Sequence, residues 1–379
     1  MSKLLFTGPY DLLSSSGDIY SYLMRLRENG ATGVRIFGCY QWAFYNLMMP
    51  FKEIRKWNPK GVPGMPFYDL SQWNIEYWDN VNYFLGLLDI CGLEIHVALH
   101  DFCSIKQAGN DKFFHPFFSC IQKENPDDPS QPHKVTGGFF GWTENGQGTL
   151  QPWHLKYFAK WVSALNVSGV PYYLEVMNET GRGNRMTNAE AVRWHGWAVD
   201  QLFALGVPKN RMIGSYTQAF GDDLGRELSK QVGTWSCHGH ARPQAVCASY
   251  PYVQSPQIII STDGGRDGDG PEDPVKHWKG PSAAQMRGIA EKVNQYGYAG
   301  IEYKPRDAAV GFGKWTDVDR VDMTIVRAAG EVFGTIPPLP PPTPTPPEPP
   351  PPPAPPMPPP VGAKSFWQKL WDWIKGLFG

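Results

Sequence analysis

Between the amino terminus and about residue 334, short apolar runs alternate with longer amphipathic runs eight times. This order predicts strands that alternate with helices, and therefore a parallel sheet with crossover helices. Eight units indicate a (β/α)8 TIM barrel of the α/β class, because a doubly wound sheet gives no reason for the count to stop at eight. The predicted strands cover residues 4–8, 33–38, 94–100, 171–177, 211–216, 234–240, 257–263 and 298–303.

Two connections are much longer than the few residues that usually join a strand to a helix. Residues 39–73 follow the second predicted strand and residues 103–152 follow the third, so both should rise over the active face of a barrel. Both are rich in aromatic side chains, in a chain with 15 Trp, 17 Tyr and 20 Phe. We expect most of these rings to pack the loops, and others, including Trp42 and Trp142, to line a groove for a chain-like ligand.

The composition changes near residue 335 and divides the chain into three predicted parts. Residues 1–334 form the barrel, and residues 335–361 are a proline-rich linker that favours polyproline II and acts as a semi-rigid spacer. Residues 362–379 have apolar side chains at helical spacing and predict a short amphipathic helix. Its Trp and Lys residues favour a membrane surface; a groove on a partner protein and docking on the barrel are the alternatives.

Charge and cysteine content exclude several classes of protein. The chain has 35 Lys and Arg against 36 Asp and Glu and no basic stripe, so we expect no nucleic-acid partner. The six cysteines lack the spacing of a zinc site. The sequence begins without a secretory signal and contains no bilayer-spanning segment, which leaves its location open. A viral or phage protein that meets its substrate at a cell surface or after lysis is compatible with this pattern.

The stretch PYYLEVMNETG, residues 171–181, contains the strongest candidate for catalysis. It is an apolar strand that stops on Asn178 and Glu179, at the end of a strand where α/β barrels carry their active sites. A carboxyl group beside an amide suits proton donation to a leaving oxygen. The structural alternative is that the pair opens the next helix, with Glu179 near the positive end of its dipole.

Other ends of predicted strands also carry polar side chains. A metal-dependent hydrolase barrel is one interpretation, with ligands from the HGH triplet at 238–240, His96, His100 and Asp263. The metal-dependent amidohydrolases take their His-x-His from the first strand, and the first strand here offers only Asp11 nearby. We therefore expect no bound metal and no cofactor.

The motifs GVRIF on the second strand, LHD on the third and MNE on the fourth, with a carboxylate ending the seventh, resemble the clan A glycoside hydrolases. The resemblance is strongest to the cellulase-like family 5 and covers about residues 1–334. It implies a retaining hydrolase of β-linked polysaccharides, in which Glu179 is the general acid and base and Asp263 is the nucleophile. It also implies that Arg35 keeps the nucleophile ionised and that Asn178 contacts the sugar 2-hydroxyl.

The predicted substrate-binding residues lie at strand ends or in the two long loops. They are Arg35, His100, Asn178, His238, His240, Tyr216, Glu302, Tyr303, Trp42 and Trp142. Glu302 could also replace the nucleophile, although a Glu in this setting more often forms a structural ion pair.

The nucleophile position departs from the family pattern. The family has Gly-Glu-Phe-Gly there, whereas this chain has Thr262-Asp263-Gly264-Gly265, so the side chain is one methylene shorter. Retaining glycosidases hold their carboxyls about 5–5.5 Å apart and inverting ones about 6.5–9.5 Å apart. Three outcomes remain open: Asp263 attacks the sugar, it activates water, or hydrolysis is lost. In the last case a noncatalytic glycan-binding or structural barrel, displayed on a particle through the proline-rich linker, is the alternative function.

Deleting residues 362–379 should abolish binding to liposomes or to co-purifying proteins, because the apolar face of this helix needs a surface to cover it. A paired substitution of Trp367 and Trp371 by Gln should have the same effect in a liposome co-sedimentation assay. Gln368→Ala, on the opposite face, is the matched control and should bind normally. Unchanged binding after the deletion would refute the anchoring role.

Overall fold

A computed structural model describes residues 2–9, 12–14, 17–39, 48–57, 65–102, 116–117, 150–180, 187–216, 223–239, 253–262, 268–270, 279–305 and 318–336. The barrel unit comprises Met1–Pro337. The predicted linker and terminal helix fall almost entirely outside the described ranges and stay predictions. Within those ranges, no helix has the length and apolar character needed to cross a membrane.

Eight parallel strands form a closed barrel, which confirms the predicted fold class. Each of them lies within one residue of, or inside, a strand expected from the sequence. The strands are β1 (Lys3–Thr7), β2 (Gly33–Phe37), β5 (Glu94–Ala98), β6 (Tyr172–Glu175), β7 (Met212–Tyr216), β8 (Thr234–Cys237), β9 (Gln257–Ser261) and β10 (Gly300–Tyr303). Around the barrel their order is β1-β10-β9-β8-β7-β6-β5-β2.

Helices follow the strands and pack around the barrel. They are α1 (Ile19–Glu28), α2 (Ile75–Cys91), α3 (Gln151–Ser168), α4 (Asn188–Ala204), α5 (Asp223–Ser229), α6 (Ala283–Tyr296) and α7 (Val318–Phe333). Local sequence fixes several ends. Capping boxes begin α4, through Thr187 and Glu190, and α6, through Ser282 and Gln285. Helix α2 ends at Gly92 with φ 63°, a left-handed conformation that glycine adopts without a steric penalty.

The connection after β2 contains an antiparallel hairpin that the sequence analysis treated as loop. Its strands are β3 (Phe51–Trp57) and β4 (Met65–Trp73). Phe51 stacks on Trp73 with ring centroids 5.1 Å apart, and it also contacts Phe117 and Tyr157 at 5.4 and 5.8 Å. The expectation that rings pack these loops together therefore holds for the described part of the connection.

The barrel interior is built in two layers of different character. The first is apolar and consists of Leu5, Ile213 and Ile259. Two residues after each of these three, towards the carboxyl ends of the strands, the interior is lined by polar side chains. Every strand contributes one of them, and all have no solvent exposure: Thr7, Arg35, His96, Glu175, Ser215, Ser236, Ser261 and Glu302. We call this set the polar layer.

Gly300→Ala should destabilise the barrel, because a Cβ at this position would lie 2.2 Å from the Lys3 carbonyl oxygen on β1. Separating two paired strands should lower the free energy of unfolding by about 2–3 kcal/mol. The matched control is Gly86→Ala in α2, where a Cβ meets nothing within 4 Å among the described residues. It should raise stability by about 0.5–1 kcal/mol. Urea denaturation followed by circular dichroism measures both, and equal effects would contradict the packing argument.

Candidate active site

Asn178 and Glu179 lie just beyond the carboxyl end of β6. The Asn178 N–H donates to the carbonyl of His100 at 2.8 Å, and the Phe102 N–H donates to the carbonyl of Asn178 at 3.0 Å. These bonds extend the parallel pairing of β5 and β6 past the last residues of the two strands, through a bridge between Asp101 and Asn178. The pair is therefore fixed at the barrel end where TIM-barrel enzymes place their chemistry.

The backbone of Glu179 has an unusual conformation. Its φ of 50° makes it the non-glycine residue with positive φ in the described part of the chain. Holding such a residue costs on the order of 1–3 kcal/mol, which the surrounding contacts must offset. Its side chain is 18% exposed, and its Oε1 lies 3.1 Å from Nδ1 of the buried His238. Glu179 is thus an oriented carboxyl group with access to solvent.

The amide of Asn178 is oriented by partners at both ends. Nη2 of Arg35 donates to its Oδ1 at 2.5 Å, and its Nδ2 donates to Oδ1 of Asp101 at 2.7 Å. A cationic donor on one side and a carboxylate acceptor on the other define which end of the amide is which. The predicted contact with a sugar 2-hydroxyl stays a prediction.

Arg35 joins the two carboxylates of the polar layer. Its Nη2 lies 2.6 Å from Oε2 of Glu175, and its Nη1 lies 3.0 Å from Oε1 of Glu302. Burial by itself would raise the pKa of Glu175, but the charge of Arg35 and a hydrogen bond from His96 outweigh it and hold the pKa well below 4.5. A carboxylate this deeply buried is tolerated only with such partners.

His96 lies between the same two carboxylates. Its Nε2 is 3.1 Å from Oε2 of Glu175, and its Nδ1 is 3.6 Å from Oε2 of Glu302. His96 therefore contacts the two buried carboxylates of the polar layer. Among the described residues, no three His, Cys, Asp or Glu side chains form a group that could hold a metal ion.

The structure buries the side chains of three predicted substrate contacts, His100, Tyr216 and Tyr303. The His100 ring packs against Tyr157 and Trp194 of α3 and α4, at centroid distances of 5.3 and 5.9 Å. The Tyr303 hydroxyl donates to Asp322 on α7. Tyr216 is 1% exposed and belongs to the main core. These placements differ from the prediction. For Tyr216 and Tyr303 the reason is that successive residues of a strand point to opposite faces, whereas His100 lies beyond Ala98, the last residue of β5.

The change of face between successive residues is seen on β7 and β10. Ser215 and Glu302 face the barrel interior, so their neighbours Tyr216 and Tyr303 face the helices. Glu302 has no exposure and pairs with Arg35, which matches the structural ion pair that the sequence left open.

The other predicted site residues lie outside the described ranges: Trp42, Trp142, His240 and Asp263.

Two residues that contact this site, Glu175 and Ser215, are not predicted from the sequence. Glu175 belongs to the same stretch as Asn178, but it lies inside an apolar strand and not at the polar strand end. The available signal was that a buried charge requires a partner, and Arg35 on β2 was the obvious cation. Nothing in the sequence distinguished Ser215 from other serines.

A cavity of about 330 Å³ lies at the same end of the barrel as Glu179. It is bounded by the turn after β1, the β3–β4 hairpin and the start of α2. The lining residues are Ser14, Met48, Met49, Phe51, Glu53, Tyr68 and Asn74.

Comparison with known proteins finds similarity in structure. No protein-family model and no curated protein matches the chain. The hyperthermostable endo-1,4-β-D-mannanase of Thermotoga petrophila RKU-1 has a TM-score of 0.53 and 13% sequence identity, over 88% of this chain and 99% of the mannanase. A glycoside hydrolase family 5 mannosidase from Rhizomucor miehei has a TM-score of 0.51 and 10% identity, over 88% and 94% of the two chains. The chain therefore has the TIM-barrel fold that these glycoside hydrolases also have.

Glu175→Gln should weaken the fold at pH 7 by about 3 kcal/mol, because it leaves the buried charge of Arg35 poorly compensated. The lowered pKa of Glu175 means that its contribution is present above the ordinary carboxyl pKa of 4.5 and is lost as the pH falls below it. The variant should therefore lose less stability than the parent between pH 4.5 and pH 2. The control is Glu331→Gln, which breaks an exposed pair with Arg287 and should change the curve little. Parallel curves for Glu175→Gln and the parent in urea denaturation would contradict this role.

Proposed function

We propose that this chain is a glycoside hydrolase that cleaves a β-linked polysaccharide, with Glu179 as general acid and base. The observation that carries the proposal is the state of Glu179: a partly exposed carboxyl at the end of a barrel strand, held beside an oriented amide and an imidazole. The barrel fold shared with a mannanase and a mannosidase, together with the motif resemblance, supports it.

In the proposed reaction Glu179 protonates the glycosidic oxygen as the bond to the anomeric carbon breaks. Asp263 attacks that carbon and forms a glycosyl ester, and Glu179 then takes a proton from the water that hydrolyses it. Thr262, the residue before Asp263, supports this assignment. Its N–H donates to the carbonyl of Glu302 at 3.0 Å, and its Oγ1 accepts from the Lys304 N–H at 3.0 Å, so the chain is anchored immediately before the proposed nucleophile.

The proposed substrate is a polysaccharide bound along the long loops that follow β2 and β5. A β-1,4-mannan is the first substrate to test, because structurally similar enzymes include an endo-1,4-β-D-mannanase. The cavity beside the β3–β4 hairpin offers a recess at this barrel end, with Met48, Glu53 and Asn74 in its lining.

Asp263 determines whether the reaction retains or inverts the anomeric configuration. Because the Asp side chain is one methylene shorter than Glu, either the backbone brings its carboxylate closer to the sugar or a water molecule fits between the two. We propose retention, with direct attack by Asp263. An inverted product would instead identify Asp263 as the base that activates water.

Glu179→Gln should reduce polysaccharide hydrolysis by at least about 100-fold, because the amide cannot donate or accept the catalytic proton. Release of reducing ends from mannan, cellulose and other β-glycans measures the rate, and NMR of the first product gives its anomeric form. The control is Glu291→Gln at an exposed position of α6, which should keep full activity. Full activity of Glu179→Gln would remove the assignment.

Asp263→Glu separates hydrolysis from glycan binding. An inactive parent that gains turnover in this variant would be a weakened enzyme, whereas an active parent that loses turnover has a site adapted to Asp. A chain that binds glycans and shows no hydrolysis in either form would be a noncatalytic binding barrel.

A further inference from the structure

We propose that Ser215 is a positioning residue that sets the backbone of Glu179 and so aims its carboxyl group. The inference rests on the proposed function, since it concerns the same acid. Ser215 lies on β7, the strand next to β6, and belongs to the polar layer.

Ser215 uses its hydroxyl as acceptor and donor at once. The Glu179 N–H donates to its Oγ at 2.7 Å, and the same Oγ donates to Oε1 of Glu175 at 2.5 Å. The buried carboxylate fixes the direction of the hydroxyl proton, which leaves the oxygen lone pairs for the amide of Glu179. Ser215 therefore acts as an oriented acceptor, which an apolar side chain of similar size would not provide.

The amide that Ser215 holds belongs to the residue with the left-handed backbone. A φ of 50° is rarely populated by a residue with a side chain and persists only where neighbouring contacts specify it. The hydrogen bond to Ser215 is donated by the N–H of Glu179 itself. Its loss would let Glu179 relax towards an ordinary conformation and turn its side chain away from His238.

Both members of the Asn-Glu pair are attached to one buried carboxylate. Glu175 holds Glu179 through Ser215, and it also accepts from Arg35, whose Nη2 donates to the Asn178 side chain. Hydrogen bonds link Asn178 to Arg35, Arg35 to Glu175, Glu175 to Ser215 and Ser215 to Glu179. The peptide bond between Asn178 and Glu179 closes this ring. The relative placement of amide and acid is thereby set from inside the barrel.

Ser236 provides the matched control. It is the register partner of Ser215 on β8, equally buried and in the same layer. Within the described residues its Oγ has no hydrogen-bond partner, so Ser236→Ala removes the same atom from the same environment without touching Glu179.

The test compares Ser215→Ala, Ser215→Cys, Ser215→Thr and Ser236→Ala in the full chain. The first readout is amide hydrogen exchange at Glu179, which is independent of activity. Loss of the acceptor in Ser215→Ala should speed exchange at least about 10-fold relative to neighbouring amides. Ser215→Cys, which keeps the volume but has a weakly accepting sulfur, should do the same, whereas Ser215→Thr and Ser236→Ala should match the parent.

The second readout is kinetic. With mannan as substrate, Ser215→Ala and Ser215→Cys should lower kcat on the order of 10- to 100-fold with KM little changed, because a misplaced acid affects the chemical step more than binding. Parent-like exchange and kcat in both variants would overturn the proposal, as would equal effects of Ser236→Ala. If the parent cleaves no polysaccharide, the proposed function fails, and altered exchange at Glu179 would still support the Ser215 contact.

Discussion

The ion pair of Arg35 with Glu175 and Glu302 is the interaction on which the interior of this barrel depends. All three side chains are fully buried, and the guanidinium lies within 3.0 Å of a carboxylate oxygen of each glutamate. Charged groups are tolerated at such depth only when they are paired in this way. Most TIM barrels fill this space with branched apolar side chains. Here a whole layer is polar, and its buried charges must pair with one another.

That requirement links the barrel interior to the candidate active site. The guanidinium reaches upward to the Asn178 amide, and the Glu175 carboxylate reaches Glu179 through the Ser215 hydroxyl. A strained backbone at Glu179 is therefore supported by groups that no solvent reaches. Such an arrangement pre-organises a carboxyl group before any ligand arrives, which is what acid catalysis needs from a scaffold.

The barrel fold is shared with the mannanase and the mannosidase at sequence identities of 13% and 10%. At that distance the fold is retained because the strand–helix repeat and the interior packing can be met by many sequences. The side chains around Glu179 are the more specific feature. Arg35, Asn178 and Asp101, which come from the three motifs GVRIF, MNE and LHD, are hydrogen-bonded to one another.

The sequence alone determined the fold and the position of Glu179 at the end of a barrel strand. Local hydrophobic patterns marked all eight barrel strands, and the strand end at Asn178 and Glu179 was legible in one stretch of chain. Only the tertiary structure decided which polar side chains meet. His100 lies among the rings of the outer helices, whereas Glu175 and Ser215, from different strands, both contact the site. Contacts between strands depend on register and on which face each residue takes, and a shift of one residue reverses that face.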